Sequence, residues 1–364
     1  MKKTIALVLA LSLLLCGCGS APAETTEAVT EAPTTQATTE PTTEPTTEPP
    51  PVYTNPLNGE TSDTPYTGRI FATTISNIRD AVPHVSAQKA DIVMEMLVNG
   101  SVIRCLALFS DISQVEAVGS IRSTRFMFND IAQHYDAVLC HAAGVSKVLN
   151  DLRERGVDNM NLDGWKPEEA GAAYRDKEYK RGYEHSLFGI GPGILSYAQS
   201  LEIPTTVEEE RDYGLLFAED GTPANGETAE SITITIRYQG TKKETVMEYD
   251  PETGKYVFWQ YGKMMTDQIT QEPETFENVV VMFAQITMEG GYHKADFLAG
   301  GNGYYACNGK LIPITWTCGG DQEPFRFFTE EGEPLAFGVG NTYMAITSAD
   351  GAAVWSAAEQ PEGE

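Results

Sequence analysis

Past residue 52 the chain is written mostly in alternating or short apolar runs, and spacing suited to helices is confined to a few stretches. The clearest unit is the pair of runs 90–98 and 101–109 joined by Asn99-Gly100. Asn-Gly between such runs predicts a hairpin with a two-residue turn, because both turn positions take positive φ. Such a turn sets Val98 opposite Ser101, Met94 opposite Cys105 and Glu95 opposite Arg104. Ile92, Met94, Met96, Ile103, Cys105, Ala107 and Phe109 then share one face, while Asp91, Glu95 and Arg104 share the other. That second face reads either as the wall of a site or as a sheet surface carrying a Glu95–Arg104 cross-strand pair.

Strands are also expected at 70–77 and 136–141. Helices are expected over 124–134 with Ser123 as N-cap, over 147–155 with Ser146 as cap and Gly156 as stop, and over 192–201. From 206 onward strands dominate: 231–238, a hairpin of 246–249 with 255–259, the nearly continuous run 278–288, and 304–307 paired with 310–316 across Asn308-Gly309. Two or three more lie within 324–347. The pattern predicts an α+β or α/β fold. An N-terminal domain, 53–205, holds a mixed sheet with flanking helices; a β-rich C-terminal domain, 206–356, follows, then an acidic tail, 357–364.

Between the hairpin and the first helix lies Gly119-Ser-Ile-Arg-Ser-Thr-Arg125. Arg122 and Arg125 flank a helix start, the positive end of the macrodipole, where acids are favoured and bases are not. Placing two arginines there makes sense if an anion lies between them, met by free N–H groups and guanidinium forks. Arg104 is a further candidate for that anion. An internal carboxylate, Asp91 or Asp136, would serve as well as a phosphate or carboxylate ligand. The next unit, strand to small-residue turn to helix, brings His141 and Ser146 toward the same rim; His141 also reads as a core histidine bonded to backbone. Asp91, Glu95 and Asp163 are acidic partners of the arginines or, alternatively, ligands for a divalent cation.

The N-terminus changes the picture of where this happens. Lys2-Lys3 and the apolar run 5–15 form an export signal too short to span a bilayer as a mature helix. It ends in Leu15-Cys16-Gly17-Cys18, with Cys18 preceded by the small residue that lipid attachment requires. Residues 1–18 are read as a lipoprotein signal peptide, Cys18 as the acylated (palmitate-bearing) cysteine, and the location as the outer face of the cell membrane. Residues 19–52 are Thr, Pro and Glu, with Thr-Thr-Glu-Pro at 38–41, 42–45 and 46–49. Such a segment buries too little to fold and forms a tether of about 90 Å at full extension.

Composition excludes more than it selects. A net charge of −27 over 364 residues argues against nucleic-acid binding, which needs a basic field. Cys105, Cys140, Cys307 and Cys318 sit in apolar runs and read as small buried hydrophobes, and no cysteine–histidine spacing fits a zinc site. Tyr256, Phe258, Trp259, Trp316, Phe325 and Phe327 read as core and sheet face before they read as a sugar platform. There is no Gly-x-Ser-x-Gly elbow, Walker loop or His-Glu-x-x-His.

The blocks Ala90-Asp-Ile-Val-Met-Glu95, Ile103-Arg-Cys-Leu-Ala-Leu-Phe109, Val118 to Arg125, His141-Ala-Ala-Gly144, Asn159-Met-Asn-Leu-Asp-Gly164, Asn308-Gly-Lys310 and Thr315-Trp316 resemble, in order, those of the YerB family of bacterial lipoproteins, a domain of unknown function. The resemblance implies an envelope location and a two-domain design, and no known activity. Two functional readings follow. The first is a non-catalytic binding or assembly module with an anion-binding surface near Arg122 and Arg125, its partner a cell-wall or anionic small-molecule ligand. The second is a metal-assisted phosphoryl- or glycopolymer-transfer enzyme acting on envelope phosphates.

Overall fold

The computed structural model describes residues 52–178, 181–207 and 211–357. The signal peptide, Cys18 and nearly all of the tether lie outside the described residues, as does the tail beyond 357.

Strand far outweighs helix, so the α/β part of the expectation holds only locally. A twelve-stranded mixed sheet organises the fold. Its middle is Asn278–Glu289, Thr342–Ser348, Ile92–Asn99, Val102–Phe109 and Phe71–Ser76 in spatial order. Thr342–Ser348 runs parallel to both neighbours, with Thr342 opposite Ile92 and Asn278. Strands from 53–205 and from 206–356 therefore meet in one sheet. The apolar runs that form it are buried on both faces, as continuous rather than alternating hydrophobicity requires.

A second antiparallel sheet holds Ser231–Tyr238, Thr241–Asp250, Lys255–Gln260 and Ala352–Ser356. Its Ile232, Ile234, Ile236, Met247 and Phe258 form one core with Val93, Leu97, Ile103 and Cys105. On the other face of the large sheet, Met94, Met96, Leu106 and Leu108 share a core with Phe128, Ile131 and Tyr135 around α1 (Phe126–His134). α2 (Ser146–Glu154) follows the strand Val138–His141. A helix at Gly191–Ser200 lies within two residues of the expected one.

The hairpin forms, but one residue out of the expected register. Asn99 pairs with Val102, the loop is Gly100-Ser101, and an irregularity falls between Leu97 and Asn99. Glu95 then faces Cys105 and Met96 faces Arg104. Because side chains alternate, this shift puts Glu95 and Arg104 on opposite faces of the sheet, and their cross-strand pair does not exist. The same Asn-Gly rule holds at the other hairpin. There Asn308 and Gly309 take φ of 50° and 69°, and Cys307 pairs with Lys310.

The four cysteines Cys105, Cys140, Cys307 and Cys318 are free and buried. Tyr256, Phe258, Trp316, Phe325 and Phe327 are core.

Candidate functional site

The segment 118–125 is held by backbone bonds on both sides. Val118–Gly119 pairs with Leu187–Gly189, Ile121 N–H donates to the Leu187 carbonyl, and Arg122 N–H donates to the Thr74 carbonyl at 3.1 Å. The Arg122 carbonyl takes the Ala142 N–H at 2.9 Å, and the Ala143 carbonyl takes the Thr124 N–H at 3.0 Å. α1 begins at Phe126 with Arg125 as its N-cap residue and no side-chain cap. The expected Ser123 cap is thus displaced by two residues. Ser123 contributes its carbonyl instead, which accepts from Arg104 Nη1 and from Arg125 Nη1. Similarly, α2 includes Ser146 as its first residue, with Val145 as N-cap.

Arg104, Arg122 and Arg125 are brought together. Arg104 is 3% exposed and Arg125 8%. Burial, then the positive charges of Arg125 and Arg122, hold the Arg104 guanidinium well below the usual arginine range. Burial likewise brings Arg125 down to about 10. Arg125 donates from Nε to Asn99 Oδ1 at 3.0 Å and from Nη1 to the Thr124 carbonyl at 2.7 Å, with its guanidinium 5.3 Å from the centre of the Tyr292 ring. Arg104 Nε is buried with no partner. Among the described residues, neither Arg104 nor Arg125 has a carboxylate within ion-pairing distance. Only Arg122 has one. Its Nη2 lies 3.1 Å from Glu184 Oε2, whose side chain is 66% exposed.

The acids that sequence reasoning offered as partners are used elsewhere. Asp91 lies at the far end of the Ile92–Asn99 strand from Asn99. It accepts from Asn58 Nδ2 at 2.6 Å, Asn55 Nδ2 at 3.3 Å and the Ser110 N–H at 2.6 Å. Asp136 pairs with Arg69 at 2.8 Å. Asp163 pairs with Arg175 through both oxygens, at 3.1 and 2.8 Å. Glu95, fully buried, points to the second sheet. It takes Asn77 Nδ2 at 2.5 Å, Thr245 Oγ1 at 2.9 Å, the Lys243 ammonium and the Tyr343 hydroxyl. Asp91, Glu95 and Asp163 therefore occupy three separate environments. Among the described residues no group of three or more His, Cys, Asp or Glu is arranged to hold a metal.

His141 is a core histidine. Nδ1 lies 2.9 Å from the Ala143 carbonyl and Nε2 3.2 Å from Asn159 Oδ1, and burial pushes its pKa down. It fixes the turn that receives Thr124 N–H rather than presenting a free nitrogen. Ser146 is exposed. Contrast comes from a recess of about 670 Å³ beside Arg69, Arg211 and Arg326. There Arg69 and Arg326 have aspartates at 2.5–2.8 Å. Among the described residues Arg69, Arg122, Arg155, Arg175, Arg211 and Arg326 have a carboxylate within ion-pairing distance, whereas Arg104 and Arg125 are buried without one.

Two family models match the chain in the order its two segments suggest. The "Protein of unknown function (DUF3048) N-terminal domain" covers residues 57–203, and the DUF3048 C-terminal domain covers 234–344. The chain belongs to the DUF3048 family. A family relative from Bacillus subtilis (strain 168), described as "Putative lipoprotein YerB", is 26% identical over 298 residues, 80% of this chain and 85% of its own. The crystal structure of YerB protein from Bacillus subtilis superimposes with a TM-score of 0.70 at 22% identity, covering 83% of this chain and 99% of that one. This chain and YerB thus share a fold, and the family is described as one of unknown function.

Sequence reasoning missed Asn99, Tyr292, Lys147, Lys294 and Glu184 as members of this region. Tyr292 and Lys294 follow Gly290-Gly291, a readable turn signal, but nothing local says that the strand they begin ends beside α1.

Proposed function

We propose that this DUF3048 chain is a cell-envelope lipoprotein that works as a non-catalytic binding or assembly module, with an anion-binding surface made by Arg104, Arg122 and Arg125. Residues 1–18 serve as signal peptide, Cys18 carries the lipid, and 19–52 tether the folded part to the outer face of the membrane. The description of the Bacillus relative as a lipoprotein supports that address.

One observation carries the ligand reading: two buried guanidinium groups side by side without a carboxylate. Desolvating a charge without a partner costs several kcal/mol, so an anion from outside supplies what the chain does not. Ser123 offers its carbonyl to both Arg104 and Arg125, and the first N–H groups of α1, which begins at Phe126, have no intrahelical partner. Ser146 and the His141 turn border the same segment.

The test is thermal melting of the full-length chain, followed by tryptophan fluorescence. It compares phosphate, diphosphate and wall fragments, with and without Mg²⁺ or Mn²⁺, in the parent, Arg122→Ala and Arg125→Ala. Anions are expected to raise the parent's melting temperature, with a smaller rise in each variant and no requirement for metal. A parent indifferent to every anion, with both variants failing to fold, overturns the reading. A rise that needs the metal would favour the transferase reading instead.

A further inference from the structure

The arginine cluster continues into a second group of cations. Tyr292 bears Arg125 on its ring at 5.3 Å and the Lys147 ammonium at 4.9 Å. Phe126, the first residue of α1, bears Lys147 at 5.5 Å and Lys294 at 4.6 Å. Lys147 Nζ donates to the Glu289 carbonyl at 2.6 Å, and Lys294 Nζ to Glu289 Oε2 at 3.1 Å. These contacts fix the two lysines while leaving each with further N–H donors, since an ammonium has three. Among the described residues, the ion pairs made by these five cations, Arg104, Arg122, Arg125, Lys147 and Lys294, involve two carboxylates, Glu184 and Glu289; Asp130, whose charge also acts on Lys294, is already paired with Arg155. A local excess of three positive charges arises in a chain whose net charge is −27.

We infer that the site takes an anion bearing consecutive phosphate groups, one at Arg104 and Arg125 and the next at Lys147 and Lys294 beside Tyr292. The inference rests on the anion-binding reading above and narrows its ligand class. Two features of the cluster decide it. First, a single carboxylate would neutralise one charge of the excess, whereas a diphosphate or a phosphodiester chain matches it. Second, the guanidinium and the first ammonium share one aromatic ring, which keeps them within about 10 Å of each other and so within reach of one short polyanion, with charge complementarity setting the preference.

Calorimetric titration of the full-length chain in detergent tests this with phosphate, pyrophosphate, tripolyphosphate, glycerol phosphate and its phosphodiester-linked trimer. Pyrophosphate is expected to bind at least about tenfold more tightly than phosphate, a difference of about 1.4 kcal/mol. Lys147→Gln and Lys294→Gln should each weaken pyrophosphate severalfold and leave phosphate within about twofold, because they lie outside the arginine subsite. Glu289→Gln should tighten pyrophosphate, an effect that a purely structural role for these residues would not produce. A preference for tripolyphosphate or for the trimer, each over its monomer, identifies adjacent or ester-spaced phosphates respectively. If phosphate binds and pyrophosphate binds no better, with the lysine variants silent, this inference falls and the anion-binding reading stands. Both fall if nothing binds.

Discussion

Replacing Arg104 by methionine separates a ligand site from an internal ion-pair hub. Methionine has an unbranched stem of similar reach and no charge. In a hub, removing one member leaves its partner buried and unpaired, which costs about 3–5 kcal/mol. Arg104 has no carboxylate, and its protein bond is from Nη1 to the Ser123 carbonyl. Losing that charge-assisted bond costs about 1.5–3 kcal/mol. Relief of an unpaired charge at 3% exposure, beside Arg122 and Arg125, acts in the opposite direction, and exchanges of buried ionic groups for apolar ones commonly stabilise by about 1–4 kcal/mol. The two effects roughly cancel, so Arg104→Met should lie within about 2 kcal/mol of the parent in urea denaturation, in buffer free of phosphate and sulfate. Adding anion then divides the two proteins. The parent gains about 2.7 kcal/mol at a hundred times its Kd, and the variant gains little. A loss of about 3 kcal/mol or more in anion-free buffer would show an internal counter-ion and refute the reasoning.

Two further perturbations address the scaffold. Glu95→Gln leaves the Lys243 ammonium, 7% exposed, without its carboxylate; denaturant unfolding should show a loss of about 3–5 kcal/mol, and the double change Glu95→Met with Lys243→Met should recover much of it. An intact double variant no more stable than the single one would show that Asn77, Thr245 and Tyr343, rather than the charge pair, set the energy. His134 is held neutral by burial, with its pKa down at about 4. As pH falls from about 6.5 toward 4, the unfolded chain takes up a proton there that the folded chain does not, so stability is lost, by about 3 kcal/mol at most. Asp130 on the same helix is pushed up to about 7 by burial and acts in the opposite sense. The measurement is therefore the difference between parent and His134→Gln across that range. A difference independent of pH would remove His134 from the acid response.

Local pattern determined a good deal of this protein. Ser231–Tyr238 was legible to the residue, and Phe71–Ser76 and Lys255–Gln260 to within one, because alternation and turn chemistry are properties of adjacent residues; the partner strand Thr241–Asp250 begins five residues before the expected 246. The cysteines and most aromatics were legible as core for the same reason. Arg104, Arg122 and Arg125 were identified as one group, although the face that joins them was misassigned.

What sequence alone could not settle was every matter of address. The Asn-Gly rule succeeds at Asn308-Gly309 and slips at Asn99-Gly100, where Asn99 stays in the strand and its Oδ1 accepts from Arg125 Nε. One residue of slip turned Glu95 and Arg104 to opposite faces, since the side-chain period is two. The strand that completes the middle of the large sheet, Thr342–Ser348, comes from the far end of the chain, and Tyr292 and Lys294 reach α1 from the second segment. Short-range propensity fixes elements and their inward faces. Pairing of strands 250 residues apart, and with it the decision to leave two buried arginines without a carboxylate, is made only when the whole sheet assembles and each acid takes the nearest donors.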